Sequence, residues 1–337
     1  MSVAVRDFAK RPDNDRRDLF MATAEAMKVH QAIVEKDFWV CWILDYLFQE
    51  SQWKDKIIFK GGTSLSKAYG AIHRFSEDVD LILDWSLLGL TEAEAFEDRS
   101  GKKQDEFRDE VDRRLLDFLK NDLTPVLETE LRTRLGRETK IVQEEKLILI
   151  EYPRSFSSEA IRPEIILEIG PRALAEPNEQ KDVRSFAAEK FPALFVRQFT
   201  TVTTVLAERT FWEKATILHH EAHKTNDKSL HRCSRHYYDL YQLGRTPILD
   251  KALKRLDLLE EVVHFKMKFY RRKWAKYEDA KPGTLRLLPP DHNLSPLKKD
   301  YASMQAMIFG AIPKFDEIME GLAAVETEIN SRGRIQQ

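Results

Sequence analysis

The chain has little that would mark it as secreted or membrane-bound. Two cysteines, Cys41 and Cys233, make neither a disulfide framework nor a thiolate zinc site. No apolar run approaches the roughly 20 residues that a membrane-spanning helix needs. The first twenty residues (MSVAVRDFAKRPDNDRRDLF) carry charges without the apolar stretch of a signal peptide. The expected setting is therefore the cytoplasm, with no membrane partner. Glycine and proline are sparse, 12 and 13 in 337 residues, which excludes collagen-like and low-complexity architectures. Net charge is only −2 and by itself points to no polyanionic partner. Its distribution is uneven: from Lys181 onward 27 Lys and Arg stand against 20 Asp and Glu, leaving the C-terminal half about +7 and the rest about −9. That asymmetry allows a polyanion to dock on the C-terminal half without requiring one.

What is present is the composition of a globular protein, 42% hydrophobic and 33% charged, long enough for two domains. Residues 14–50 have helical spacing without internal Gly or Pro. Residues 56–60 read as a buried strand, 63–72 as a helix and 78–84 as a second strand. A charged amphipathic helix is expected over 91–135, broken near Pro125. Two further strands are expected at 145–152 and 161–169. PNEQKD marks a loop in the boundary region 172–200. Beyond about 200 the pattern is helical: 203–222, 231–243, 249–276, 295–309 and 314–330. Pro289, Pro290 and Pro296 make 285–297 a connector. This order predicts an α+β protein, a mixed sheet flanked by helices and followed by a helical domain.

The chemistry concentrates in IIFKGGTSLSKAYGAIHRFSEDVDLILD, residues 57–84. An apolar run ends at Gly61-Gly62, Thr63 and Ser64 open a helical segment, and a second strand carries Asp78 and Asp80. Residues two apart on a strand project from one face, so the two carboxylates stand together while Val79 and Leu81 point to the core. Carboxylates held that close repel unless a cation lies between them, and oxygen donors suit Mg²⁺ or Mn²⁺. The glycine pair lets the backbone approach a phosphate, and the helix start offers N–H groups to it. The spacing is not that of a P-loop, which needs four residues between its glycines and a Lys before Ser or Thr. Ser64 is read as a phosphate donor or as a helix N-cap, and Lys67 faces phosphate or solvent. Arg74 and Ser76 precede the acidic strand, where they would orient its carboxylates. A third acid is expected from EIILEIG: Glu168, among apolar neighbours, needs a metal or an ion-pair partner such as Arg162 or Arg172. A phosphate cradle facing metal-binding carboxylates is the layout of nucleotidyl transfer.

Further along, LAERTFWEKATILHHEAH (206–223) sets Lys214 among apolar and aromatic neighbours, where an ammonium needs an anion: a phosphate, Glu213 or Asp239. RHYYDLYQL (235–243) sets Asp239 among tyrosines and leucine, as a lysine's partner or a catalytic base. His219, His220, His223, His231 and His236 are close in sequence, but they do not match HExxH and His219 and His223 lack a third ligand, so zinc is not expected. HFKMKFYRRKWAKYEDAK (264–281) has seven Lys and Arg against two acids, interleaved with aromatics. It is either an RNA-contacting surface or a helix with an aromatic core side and a basic solvated side.

In order along the chain, GGTSLSKAY, RFSEDVDL, ERTFWEKATILH and RHYYDLYQL resemble the nucleotidyl transferase AbiEii/AbiGii toxin family. VEKDFWV (34–40) and KKDYASMQAMIFGAIPKFDEIMEGLAAVETEIN (298–330) are similar to it as well, so the resemblance spans about 15–330. It implies a DNA polymerase β-like nucleotidyltransferase core, and a toxin paired with a separately encoded antitoxin in a toxin–antitoxin or phage-defence system. For some members it implies transfer of nucleotides from NTPs to tRNA 3′ ends. By motif it makes Gly62, Thr63 and Ser64 the nucleotide-cradling turn beside Gly61, and Asp78 and Asp80 the metal ligands. It makes Lys214 a phosphate contact and Asp239 a catalytic acid or base. The chain departs from the pattern in two places: GGT stands where GS is common, and Glu168 where an aspartate is expected. The expectation is a nucleotidyltransferase domain at 1–195 with N-terminal helices, and a helical domain at 196–337 that completes the active site. Its reaction would move NMP from NTP to a nucleic-acid hydroxyl, the tRNA 3′ end first. Modification of a protein or small molecule, or a non-catalytic nucleotide-binding interaction protein, are the alternatives.

Overall fold

Strands form where alternate residues can be buried. Ile57–Lys60 (β1) and Asp78–Leu83 (β2) run antiparallel, Ile57 opposite Leu83 and Lys60 opposite Asp80, with Phe59, Val79 and Leu81 in the core. In the computed structural model, residues 5–159, 161–171, 175–224 and 230–334 are described. Arg172 lies outside them. The chain falls into two compact units: Met1–Ala68 with Ser76–Thr204, and Tyr69–Phe75 with Val205–Gln337.

The first unit is built on a mixed sheet of order β3-β4-β5-β2-β1-β7-β6. The remaining strands are β3 (Ile141–Glu144), β4 (Leu147–Glu151), β5 (Glu164–Gly170), β6 (Asn178–Val183) and β7 (Thr200–Val205). β2 pairs with β5, and β1 with β7, in parallel; β1–β2, β3–β4 and β4–β5 are antiparallel. The helices are α1 (Val5–Phe8), α2 (Asp13–Met27), α3 (Gln31–Asp45), α4 (Gly61–Lys67), α5 (Glu92–Phe96), α6 (Gly101–Phe118), α7 (Thr124–Leu135) and α8 (Phe186–Lys190). Every residue of α3 from Ala32 to Asp45 is buried, the charged Glu35, Lys36, Asp37 and Asp45 included.

The second unit contains α9 (Ala207–Ala222), α10 (Ser234–Leu243), α11 (Pro247–Leu253), α12 (Leu256–Phe269), α13 (Asp291–Met304) and α14 (Phe315–Ser331). α9 packs against α10, α11 and α12, and α10 against α13 and α14. No helix among the described residues is long and apolar enough to cross a membrane.

Several expected boundaries move, each for a local reason. PNEQKD is not a loop: Asn178–Val183 forms the edge strand β6, whose polar sequence suits an edge with one neighbour. TTVTTV, whose residues 203–205 are read from sequence as the start of the helix 203–222, is β7, as its β-branched residues favour. β3 was not expected, because Ile141–Glu144 is short and only half apolar. The long charged helix breaks at a π-helical turn, Leu119–Leu123, so Pro125 falls in the first turn of α7, where its missing N–H costs little. The expected helix 249–276 divides at Lys254-Arg255 and stops at Phe269. Pro296 does not break a helix but lies inside α13.

Candidate active site

In the first unit, β1 delivers the chain to a glycine turn and β2 carries the acids. Gly61 has φ +78°, and a Cβ there would overlap Oδ2 of Asp80, so only glycine allows the carboxylate to lie on the turn. Asp78 and Asp80 are half-buried, between Val79 and Leu81 that are fully buried. In the sheet register Asp80 stands between Lys60 on β1 and Glu168 on β5, all on one face. Glu168 is exposed, so solvent satisfies it and the argument from a lone buried carboxylate does not apply. What remains in its favour is its place beside Asp80.

The hydroxyls expected at a phosphate are engaged with the protein. Thr63 is buried and its Oγ1 donates to the carbonyl of Asp78, tying α4 to β2. Ser64, also buried, donates to the carbonyl of Gly61 at 2.9 Å and is not an N-cap. Lys67 is turned away from solvent. Its ammonium lies 2.7 Å from Asp37 and 4.0 Å over the ring of Phe186. Burial works against that charge, but the field and hydrogen bond of Asp37, together with the fields of Cys41 and Glu189, outweigh it and raise the lysine above its ordinary pKa. Ser76 is half-buried just before β2.

Reading the motif EKD on α3 as a family mark alone missed its physical role. Glu35, Lys36 and Asp37 are all buried, and each fixes a different segment. Glu35 accepts the N–H groups of Ser155 and Phe156 at 2.6 and 3.0 Å. Lys36 donates to Glu77 at 2.8 Å and to the carbonyl of Arg162 at 3.0 Å, and Glu77 also accepts the N–H of Arg162. Asp37 accepts the N–H of Phe186 at 2.6 Å, besides Lys67. The residue before Asp78 is thus locked to α3 and to the approach to β5. Charged letters inside an otherwise apolar helix are the signal that could have shown this.

In the second unit a buried cluster gathers around Asp239. Arg74 grips it with two bonds, Nε to Oδ1 at 2.6 Å and Nη2 to Oδ2 at 2.8 Å, and Lys214 donates to Oδ2 at 2.7 Å. Arg74, expected at the carboxylates of β2, is held here because its segment bridges to the far end of the chain. Phe75 N–H donates to the carbonyl of Met307, and Phe309 N–H to that of His73. Burial alone would raise the Asp239 carboxyl, but Arg74 and Lys214 hold it well below the usual carboxylate range. Lys214 is lowered, by burial first. Of the anions weighed for Lys214, its protein partner is Asp239. His219 is a staple: Nδ1 accepts the N–H of Arg286 at 3.1 Å, leaving Nε2 to donate to the carbonyl of Lys276 at 2.9 Å.

The profile of the AbiEii nucleotidyl transferase toxin, of type IV toxin–antitoxin systems, matches residues 42–321. The chain belongs to this family. It is a nucleotidyltransferase toxin, and the family implies an NTP substrate and an antitoxin partner. No curated protein matches it. Among solved structures it is similar to MenT4, a nucleotidyltransferase toxin from Mycobacterium tuberculosis H37Rv, at 16% identity and TM-score 0.41, covering 92% of this chain and 98% of that one. A proposed nucleotidyltransferase from H. pylori gives 14% identity and TM-score 0.42, with 92% and 99% covered. At those scores it is the family match that decides the assignment.

Proposed function

We propose that this AbiEii-family toxin transfers an NMP from an NTP to a nucleic-acid hydroxyl at Asp78 and Asp80, with the tRNA 3′ end as acceptor. The reading rests on one observation above others: the Asp80 carboxylate lies against a turn that only Gly61 can make, on the face it shares with Asp78. Among the described residues no three His, Cys, Asp or Glu side chains form a ready-made metal cluster. Mg²⁺ or Mn²⁺ is argued from the pair Asp78 and Asp80, since Mg²⁺ is usually held by one or two carboxylates together with substrate phosphates and water. Asp78 and Asp80 are the residues that would hold it, with Glu168 proposed as the third, and when bound it would supply charge neutralisation at the triphosphate. In the transfer, the acceptor hydroxyl oxygen bonds to the α-phosphorus and the bond to the β-bridging oxygen breaks. Pyrophosphate leaves and the hydroxyl proton passes to solvent.

Lys214 is proposed as a phosphate contact. Asp239 is proposed to hold Lys214 rather than to take a proton, because a carboxylate kept so far below its usual range is a poor base. The cytoplasm, where NTPs and RNA meet, is the compartment this reading requires, and the cognate antitoxin is the expected protein partner. The test is incubation with labelled NTPs and total RNA. Label should enter RNA with the wild type and vanish with Asp80→Asn, whose half-buried side chain can change without unfolding the sheet. Label entering protein, or a fully active Asp80→Asn, would overturn the proposal.

A further inference from the structure

α12 stops at Phe269, and the chain beyond it does not follow a helix face. Phe265 and Phe269 do pack in the core, as the helical reading expected. Tyr270, Arg271, Arg272, Lys273 and Trp274 then form an unbroken exposed run, closed by the buried Ala275. A basic solvated side of a helix therefore does not explain these residues. Residues 264–277 contain six Lys and Arg and no Asp or Glu. Two large aromatics lie open among the cations, Tyr270 at 43% and Trp274 at 37% exposure. Trp274 is braced from one side by the imidazole of His220, 4.4 Å between ring centres, and Arg272 lies 5.7 Å from its ring. The local field is positive: His220 is held down to about 4 by burial and then by Arg272, Lys266 and Lys224.

We propose that the run Tyr270–Trp274, with Lys276, docks a single-stranded stretch of the RNA acceptor, bases stacking on Tyr270 and Trp274 and phosphates meeting Arg271, Lys273 and Lys276. This rests on the reading of the acceptor as RNA. A single strand is favoured over an acidic protein by the aromatics. Cations alone would serve carboxylates, whereas braced, exposed rings between cations match the alternation of base faces and phosphates in an unpaired strand.

The test is binding of a fluorescein-labelled single-stranded RNA of about 12 nucleotides to the full chain across a salt series. The same sequence as a duplex and poly-glutamate serve as competitors. Tyr270→Ala/Trp274→Ala should weaken binding about tenfold or more at fixed salt. Arg271→Ala/Lys273→Ala should lower the slope of log affinity against log salt by about 1.4. Should loss of Trp274 disturb the fold through His220, Tyr270→Ala alone and the exposed cation pair keep the test intact. Binding within twofold of wild type in all variants would overturn the inference. So would poly-glutamate competing as well as the single strand, which would make the surface one for an acidic protein. Labelled transfer separates this from the function itself. If wild type labels RNA and the variants label it equally at subsaturating RNA, the docking surface fails and the transferase stands. If the variants lose RNA binding but wild type never labels RNA, the surface stands and the acceptor reading fails.

Discussion

At the scale of single residues, the acids of β2 and the glycine against them were readable because strand alternation and a GG turn are local signals. Gly61→Ala tests that reading directly. The added methyl meets the Asp80 carboxylate in a left-handed backbone conformation, so the acid must move. Transfer should fall at least tenfold while the melting temperature drops by only a few degrees, measured on the same preparation by label incorporation and thermal melting. Wild-type activity in Gly61→Ala would show that the position of Asp80 is not critical. Asp239 was legible as a buried acid in want of a partner, but its double grip by Arg74 was not, because the partner lies 165 residues away in sequence. Asp239→Asn leaves two buried cations facing a neutral amide and should cost about 3–5 kcal/mol, the range for breaking a buried ion pair. Its charge also sets a pH dependence. A carboxyl held below its unfolded value contributes stability that is complete above about pH 4 and is lost as pH falls toward the folded value. The acid limb of a urea-midpoint titration should therefore be shallower in Asp239→Asn than in wild type.

At the scale of elements, apolar patterning found α3, α4, β1, β2, β4 and β5, each of which buries apolar side chains. It missed β3 and β6, because edge and hairpin strands need little apolar surface, and it ran a helix through β7 because nothing apolar marks where one ends and the other begins. Helix contacts are likewise invisible until two elements meet. Gly321 on α14 looks like a weak spot in a helix, yet a Cβ there would come within 2.5 Å of the Tyr241 ring on α10. Gly321→Ala gains helix propensity of about 1 kcal/mol, but it forces apart two packed helices, typically costing about 1–3 kcal/mol. Packing wins, and the variant should be less stable; an unchanged or raised urea midpoint would show that α10 and α14 can shift freely. The charged triplet on α3 behaves in the same way. Lys36→Met strands Glu77 in a buried setting and should destabilise the first unit, while Lys36→Met/Glu77→Gln should recover part of the loss, because removing both charges removes the desolvation cost with the pair.

At the scale of the whole molecule, stability against pH follows from which charges folding suppresses. His219 and His220 are held down to about 4, chiefly by burial, and His236 well below its ordinary value for the same reason. Unfolded, each imidazole takes a proton near pH 6.5. Between about 6.5 and 4 the unfolded chain therefore binds more protons than the folded one, and stability falls as pH is lowered through that window. Above 6.5 both states are neutral at these positions and the contribution is flat. Glu35, Asp37 and Glu189, raised by burial, act in the opposite sense, since the folded state keeps their protons at a pH where the unfolded chain has lost them. The histidine window opens near 6.5, above the ordinary carboxylate range, so the histidines lead as pH is first lowered from 7.5. Thermal melts from pH 7.5 to 5 should show the second unit, which holds all three histidines, losing stability ahead of the first. His219→Gln isolates the cause. Its amide can still accept from Arg286 and donate to Lys276 but takes no proton. The pH slope should flatten in this variant while the melting temperature at pH 7.5 changes little, and a slope equal to wild type would place the pH sensitivity elsewhere.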